Sequence, residues 1–209
     1  MSGWRDAQDL VQDLATISMP SVFNPYRDHC NDHDVDDAAS IRAANLTAVL
    51  DQAIIWGVDE LWVGLELGRL GGRRTGLPLT DEPSLAACGA YWQLADLRRA
   101  TDGPAAKEQT ATYVWRAMAT GQRKVFFWNA FPFHCHLPGS ANNRSHTPAE
   151  IDRLPAITPW LIDRLRIHTV VSLGQKAETA LGRMGITSRY VRHPGRGGGP
   201  VFLQSIHAS

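Results

Sequence analysis

The chain has 209 residues, 44% of them hydrophobic, and its 21 Lys and Arg residues balance its 21 Asp and Glu residues. This length and apolar content suit one domain, so we expect a single domain over 1–209, with an acidic helical part at 1–57 and a sheet with its loops at 58–209. No apolar run is long enough for a membrane span, and the charged start has no signal-peptide core, so a cytoplasmic protein without a membrane partner is expected.

Charge is distributed unevenly along the chain. Residues 1–60 hold 3 basic and 11 acidic side chains, whereas residues 61–209 hold 18 basic and 10 acidic ones. The basic excess indicates either an anionic ligand or a solvated surface. Three separated cysteines form no CxxC pair, so we expect reduced, structural thiols and neither a disulfide framework nor an iron–sulfur ligand set.

The N-terminal part begins with an amphipathic helix predicted over residues 4–17, followed by a long polar loop at 18–38. The loop contains side chains of types that bind metal ions: His29, Cys30, Asp32, His33 and Asp34. A metal site is conceivable, but no recognised ligand spacing is present and adjacent residues do not easily face one ion. An ordinary loop is the favoured interpretation.

The rest of the chain alternates between apolar strand patterns and amphipathic helix patterns. Strands are predicted at 60–63, 124–128, 168–174 and 188–193, and helices at 37–56, 83–100, 104–121 (stopped by Gly121), 158–167 and 175–185. Long loops are predicted at 129–151 and 194–202. This order predicts an α/β domain with a central four-stranded parallel sheet flanked by helices on both faces.

Three of the predicted strands end in, or are followed by, polar side chains that can take part in catalysis or binding. Glu66 lies in a glycine-rich loop expected to begin at Gly64, Asn129 ends the second strand, and His193 ends the fourth. Parallel strands bring their carboxyl ends to one edge, and open α/β sheets bind ligands there.

These segments together resemble the uracil-DNA glycosylase superfamily. The matching motifs are GLELG at 64–68, FFWN at 126–129 and HPGRGGG at 193–199, and the resemblance covers about residues 58 to 202 in order and spacing. It implies a DNA-repair enzyme that flips uracil out of DNA and hydrolyses its N-glycosidic bond, leaving an abasic site.

The resemblance also implies individual roles. Glu66 falls on the position that handles the attacking water, Asn129 on the position that reads the base, and His193 on the position that stabilises the departing base. The residues expected to line the base are Gly64, Leu65, Gly68, Leu79 and Asn129.

The sequence departs from the superfamily pattern at several positions. Leu67 replaces the usual proline, Gly68 stands where some members have a tyrosine that excludes the thymine methyl group, and Leu79 replaces the stacking aromatic residue. We therefore expect open space beside Gly68, a pocket that also admits hypoxanthine or xanthine, and stacking that is poorer or comes from Phe131 or Phe133. The cysteine ligands of the iron–sulfur branches are absent, so no metal or cofactor is expected.

DNA is the expected partner of a monomeric protein. Arg73, Arg74 and Arg144 lie in the predicted active loops, and Arg196 with Gly197 is expected to act as a wedge or phosphate clamp.

Other interpretations remain open at this stage. Glu66 could pair with Arg69, Arg73 or Arg74, Asn129 could cap a turn, and His193 could fill the core. The triplet His134–Cys135–His136 permits a metal site, although contacts with solvent or DNA are favoured. Two other functions also fit: a nucleoside or nucleotide hydrolase acting on small molecules, and a non-catalytic or covalently trapping binder of uracil-DNA.

Overall fold

The computed structural model describes residues 3–120 and 123–207. Its strands are β1 Val22–Phe23, β2 Glu60–Glu66, β3 Val125–Phe131, β4 His134–Cys135, β5 Thr169–Leu173 and β6 Arg189–Val191. Its helices are α1 Ala7–Thr16, α2 Ala38–Trp56, α3 Gly72–Thr75, α4 Leu85–Trp92, α5 Gln109–Met118, α6 Pro148–Ile151, α7 Ile157–Arg164, α8 Gln175–Arg183 and α9 Gly199–His207, with a short 3-10 turn at Glu82–Ser84.

The central sheet has four parallel strands in the order β3, β2, β5, β6, which confirms the predicted architecture. The register places Gly64 of β2 directly opposite Asn129 of β3, and Glu66 opposite Phe131. All four strands point the same way, so their carboxyl ends meet at one edge of the sheet.

Helices cover both faces of this sheet, as the sequence predicted. On one face the ring of Phe127 lies 5.4 Å from Trp115 of α5, and Trp62 lies 5.9 Å from Phe202 of α9, measured between ring centroids. Phe126, which directly precedes Phe127 in β3, points to the opposite face and lies 6.3 Å from Trp92 of α4. The core is thus rich in aromatic rings on both sides of β3.

Two strands extend further than the sequence indicated. Strand β2 continues through Gly64 to Glu66, and β3 continues through Asn129 to Phe131. Glycine was expected to end β2, but here it permits close packing inside the strand. Glu66 and Asn129 are therefore strand residues, and the interpretation of Asn129 as a turn cap is wrong.

Other boundaries also differ from expectation. Helix α4 ends at Trp92 because Gln93 adopts a left-handed conformation (φ 55°), so the helix predicted over 83–100 is too long. The loop predicted at 194–202 becomes α9 from Gly199 onward, and the loop after β3 contains β4, which pairs with β1. Helix α5 ends at Met118, and its predicted stop at Gly121 lies outside the described residues.

Within residues 3–120 and 123–207, no helix is both long enough and apolar enough to cross a membrane.

Candidate active site

One corner of the sheet edge is formed by Gly64, Leu79 and Asn129. A Cβ atom at Gly64 would lie 2.6 Å from the Asn129 Nδ2 and 3.2 Å from Leu79 Cδ2, so only glycine lets these side chains approach β2. Leu79 adopts a left-handed conformation (φ 54°), which is strained for a leucine, and its side chain is buried. Strand alternation turns the Leu65 side chain to the opposite face from Gly64, so only its backbone is available to this corner.

The Asn129 amide is buried and only partly satisfied. Its Nδ2 donates to the Glu66 carbonyl oxygen at 3.1 Å, which fixes the orientation of the amide because that partner only accepts. Its Oδ1 is buried and has no hydrogen-bond partner among the described residues. Such an atom requires an explanation, and an incoming ligand with an N–H donor would supply its missing bond.

Glu66, at the end of β2, is held in place by His146. Its Oε1 accepts from the His146 backbone N–H at 2.6 Å and lies 2.7 Å from His146 Nδ1. The His146 ring in turn stacks on Phe131, with centroids 5.1 Å apart and an interplanar angle of 13°. One carboxylate oxygen is thus anchored twice, whereas residues 3–120 and 123–207 offer no such anchor to Oε2.

His146 was missed in the sequence because only tertiary structure brings it to Glu66. It directly precedes Thr147, which with Glu150 forms a capping box at the start of α6. The capping box can be recognised in the sequence. The contact between His146 and Glu66 cannot, because the two residues are 80 positions apart in the chain. The alternative that Glu66 pairs with Arg73 or Arg74 is wrong, because Arg73 packs on the ring of Phe23 and Arg74 pairs with Glu82.

His193 lies two residues beyond β6. Val63 of β2 is level with Ser172 of β5, which is level with Tyr190 of β6. His193 and Glu66 each follow three residues after these partners, so they lie at the same level along the strand direction. It stands two strand spacings from β2, or about 10 Å. The residue is exposed, so the interpretation of His193 as a core residue is wrong.

The hydrogen bonding of His193 sets its tautomer. Its Nδ1 accepts from the Gly195 backbone N–H at 3.0 Å, so the neutral ring carries its proton on Nε2. Packing against Gly174 and Gly195 removes water from one side of the ring. This partial burial, followed by the charges of Arg192 and Arg196, lowers the pKa of His193 and favours the neutral ring. A neutral ring with Nε2–H is a hydrogen-bond donor directed away from its own loop.

The space expected beside Gly68 is filled. The carboxyl group of Glu108, which precedes α5, packs against both Gly68 and Gly71, and a Cβ atom at either glycine would overlap it. The Glu108 backbone N–H donates to Asp81 at 2.7 Å. The prediction of an open pocket at Gly68 is therefore wrong, because a side chain 40 positions later occupies that space.

Burial, and then the nearby Asp81 charge, raise the pKa of Glu108 to about 7. A carboxyl group at the edge of the candidate site is thus half protonated near neutral pH, where an ordinary glutamate is charged.

Two aromatic residues considered for base stacking are unavailable. Phe131 and Phe133 are fully buried, and they contact each other edge to face with centroids 5.6 Å apart. Leu79 is therefore the side chain left beside Asn129 to form a flat wall.

Three of the four arginines expected to contact DNA are engaged within the protein. Arg73 is buried with its guanidinium 4.3 Å from the centre of the Phe23 ring, and Arg74 is buried and bonded to Glu82 at 3.0 Å. Arg144 forms a bidentate pair with Glu150 at 2.6 and 2.9 Å. Arg73 and Arg74 are therefore too buried for the predicted phosphate contacts, and the Arg144 guanidinium is already paired with a carboxylate.

Arg196 differs from those three, because its side chain is exposed. Its backbone is left-handed (φ 52°), as is that of Gly197 (φ 78°), and its N–H donates to Gln109 at the start of α5 at 3.0 Å. Arg69, in the loop after β2, is exposed as well, and so is Arg192, which lies with Arg196 in the loop after β6. The basic side chains that face solvent at this edge thus include these three arginines, and Lys176 at the start of α8 is also exposed.

The triplet after β3 is mainly structural. His134 is buried, with Nδ1 3.1 Å from the Leu67 carbonyl oxygen and Nε2 3.2 Å from that of Ala141. Burial lowers the pKa of His134 to about 4. Cys135 is also buried, so neither residue contacts solvent or DNA, and both His134 ring nitrogens already face carbonyl groups.

A cavity of about 570 Å³ lies beside this site. Its lining includes His146, Ala130 and residues between 148 and 159, together with Ala180, Arg183 and Met184 of the α8 segment. It does not include Glu66, Asn129 or His193. The cavity thus borders the candidate site without containing its polar groups.

The chain resembles the crystal structure of wild-type SMUG2 from Pedobacter heparinus, with a TM-score of 0.60 and 15% sequence identity over 98% of this chain and 97% of that one. No family model matches the sequence, and no curated protein matches it. The structural likeness establishes the fold.

Glu108 provides a test of the electrostatics at this edge. Its pKa is about 7 in the folded protein and 4.5 ordinarily, so its neutral form stabilises the fold below pH 4.5, and this stability is lost as the pH rises through 7. Glu108→Gln stays neutral throughout. Its free energy of unfolding, relative to wild type, should rise by about 1 to 3 kcal/mol between pH 5 and pH 8.

Denaturant melts across this pH range measure the difference. Glu178→Gln on α8, whose carboxylate accepts from Gln175, is the matched control and should show no such trend. A difference for Glu108→Gln that does not vary with pH would contradict the raised pKa.

Proposed function

We propose that this protein is a DNA glycosylase that excises uracil by hydrolysing its N-glycosidic bond. The observation that carries the proposal is the buried Oδ1 of Asn129, which has no hydrogen-bond partner in the described part of the chain and lies near the anchored carboxylate of Glu66. The uracil-DNA glycosylase-like fold supports it.

Asn129 suits the edge of uracil. Its Oδ1 can accept from the N3–H, and the second hydrogen of Nδ2, which is not used on the Glu66 carbonyl, can donate to O4. Leu79 offers an apolar wall for the ring of the base. A base without a hydrogen at the N3 position would leave the buried Oδ1 unpaired, which is costly in a desolvated site.

Glu66 suits the sugar side of the reaction. Water attacks C1′, the bond from C1′ to N1 breaks, and the bonding electrons leave with the base. Positive charge develops on the sugar, so a carboxylate held beside it stabilises the transition state and orients the water. Because His146 anchors Oε1 twice, Oε2 is the atom available for the water.

His193 suits the departing base. Negative charge collects on the O2 atom of uracil as the bond breaks, and a neutral imidazole with its proton on Nε2 can donate a hydrogen bond there. The lowered pKa agrees with this role, since the ring acts as a neutral donor.

DNA binding would use the exposed arginines at the same edge. A base in a duplex must be flipped out, at a cost of a few kcal/mol, before it reaches Asn129. Arg196 is exposed on a loop seated against Thr110 and Tyr113 of α5, so it can act at the duplex while the loop stays supported.

The direct test is excision from oligonucleotides that carry one uracil, hypoxanthine or xanthine, compared between wild type and Glu66→Gln. The amide keeps the shape of the carboxylate but removes its charge. We expect Glu66→Gln to bind uracil-DNA normally and to lower the single-turnover rate by about 100-fold or more. Glu178→Gln should retain the wild-type rate. Uracil should be the best substrate.

Three results would contradict the proposal. Equal rates for wild type and Glu66→Gln would remove Glu66 from the chemistry. Binding of uracil-DNA without alkali-labile sites would indicate a non-catalytic or trapping binder. Turnover of free deoxyuridine, without salt-dependent binding to DNA, would indicate a small-molecule hydrolase.

If Arg196 acts as a wedge, its loss should affect double-stranded DNA more than single-stranded DNA. A duplex needs a side chain to hold the flipped state open, but a single strand does not. Arg196→Ala should therefore reduce kcat/KM for uracil about tenfold or more in a duplex and much less in a single strand. Arg153→Ala, an exposed arginine on the segment before α7, serves as the control. An equal loss on both substrates would identify Arg196 as a phosphate contact and not a wedge.

A further inference from the structure

The polar loop before α2 brings three possible metal ligands together. The Cys30 Sγ lies 3.5 Å from His33 Nδ1 and 4.0 Å from Asp32 Oδ2. One ligand atom from each of the three residues lies within 4.8 Å of the others. Among the residues that the structure describes, this is the one group of at least three His, Cys, Asp or Glu side chains with such spacing.

The spacing suits a tetrahedral zinc site. With zinc–sulfur and zinc–nitrogen bonds near 2.3 and 2.0 Å, tetrahedral geometry places a sulfur and a nitrogen ligand about 3.5 Å apart. The Cys30–His33 distance has this value, and a small rotation of the exposed Asp32 would shorten its 4.0 Å distance to the sulfur.

An independent observation comes from Asp34, whose side chain is fully buried. Its Oδ1 has no hydrogen-bond partner among the described residues, and it lies 3.7 Å from Nε2 of His33. A metal-binding histidine usually donates its other ring N–H to a carboxylate. Binding of a metal at Nδ1 would keep the His33 proton on Nε2, where a slight tilt of the ring delivers it to this acceptor.

Asp34 also holds the loop in shape. Its Oδ2 accepts from the Cys30 backbone N–H at 2.9 Å and pairs with the buried Arg42 guanidinium. Arg42 in turn donates to the Arg73 carbonyl oxygen in α3 at 3.3 Å. The same aspartate therefore positions both the cysteine and the histidine, and it connects them to the segment that follows the glycine-rich loop.

We propose that Cys30, Asp32 and His33 bind one Zn²⁺ ion, with Asp34 orienting His33 and a water molecule as the fourth ligand. The thiolate and the Asp32 carboxylate balance the charge of the ion. The site is structural, because it supports the loop and lies outside the candidate active site, and it is independent of the proposed function.

The protonation of His33 agrees with this site. Burial, and then the nearby Arg74 charge, lower the pKa of His33, which favours the neutral ring that a metal requires.

The other two cysteines do not obscure a test with a thiolate probe. Cys88 and Cys135 are buried, and burial raises the pKa of both thiols, to about 12 for Cys135. A thiolate signal from the folded protein therefore reports Cys30.

The experiment titrates Co²⁺, and separately Zn²⁺, into the full chain after removal of metal with a chelator. Co²⁺ should produce a thiolate charge-transfer band with the visible bands of tetrahedral coordination, and calorimetry should find one Zn²⁺ per chain. Cys30→Ser should abolish the charge-transfer band and weaken Zn²⁺ binding at least about tenfold, and Asp34→Asn should weaken it about 10- to 100-fold. Saturating Zn²⁺ should raise the melting temperature of the wild type.

His29→Gln is the matched control. His29 lies in the same loop but is exposed and contacts Asn31, so this variant should bind both metals as the wild type does. Because Asp34 pairs with the buried Arg42, circular dichroism checks that Asp34→Asn is folded, and Cys30→Ser provides the test that leaves this pair intact. The proposal is overturned if the wild type gives no thiolate band, or if Cys30→Ser binds Zn²⁺ as tightly as the wild type.

Discussion

The absence of a side chain at Gly64 is the constraint on which the candidate site depends. Gly64 and Asn129 are direct partners in neighbouring parallel strands, and a Cβ atom at Gly64 would lie 2.6 Å from the Asn129 amide nitrogen. The amide therefore packs flat against β2 and bonds to the Glu66 backbone. The residue that suits base recognition is thereby hydrogen-bonded to the backbone of the residue that suits catalysis.

Most of the strongly buried charge in this protein supports the scaffold. Arg42 pairs with Asp34 and Arg74 with Glu82, and both of these pairs are buried, whereas the pair of Arg144 with Glu150 is only half-buried. Removing one member of a buried pair leaves an uncompensated charge, which typically costs about 3 to 5 kcal/mol. Part of the basic excess of residues 61–209 is thus neutralised by ion pairs within the protein. Fewer arginines are exposed at the sheet edge than the sequence count indicated.

The fold was predictable because the four strands of its central sheet and most of its helices leave strong patterns of apolar residues. The ends of elements were not, since Gly64 was expected to end β2 and Gly199 was placed in a loop, whereas they lie within β2 and at the start of α9. Sequence order also cannot show that Glu108 fills the space beside Gly68, or that His146 anchors Glu66. Both contacts join segments that are far apart in the chain, and no local pattern encodes them.

In the proposed enzyme, the Asn129 Oδ1 atom recognises uracil by accepting a hydrogen bond from the N3–H of the base. The most direct measurement compares excision by the wild-type protein from two single-stranded oligonucleotides that differ only at one base, uracil or 3-methyluracil. The methyl group removes the donor and leaves the glycosidic bond in place. The account predicts excision of uracil and a loss of about 100-fold or more for 3-methyluracil, because the buried acceptor would stay unpaired. Equal excision of the two bases would contradict it.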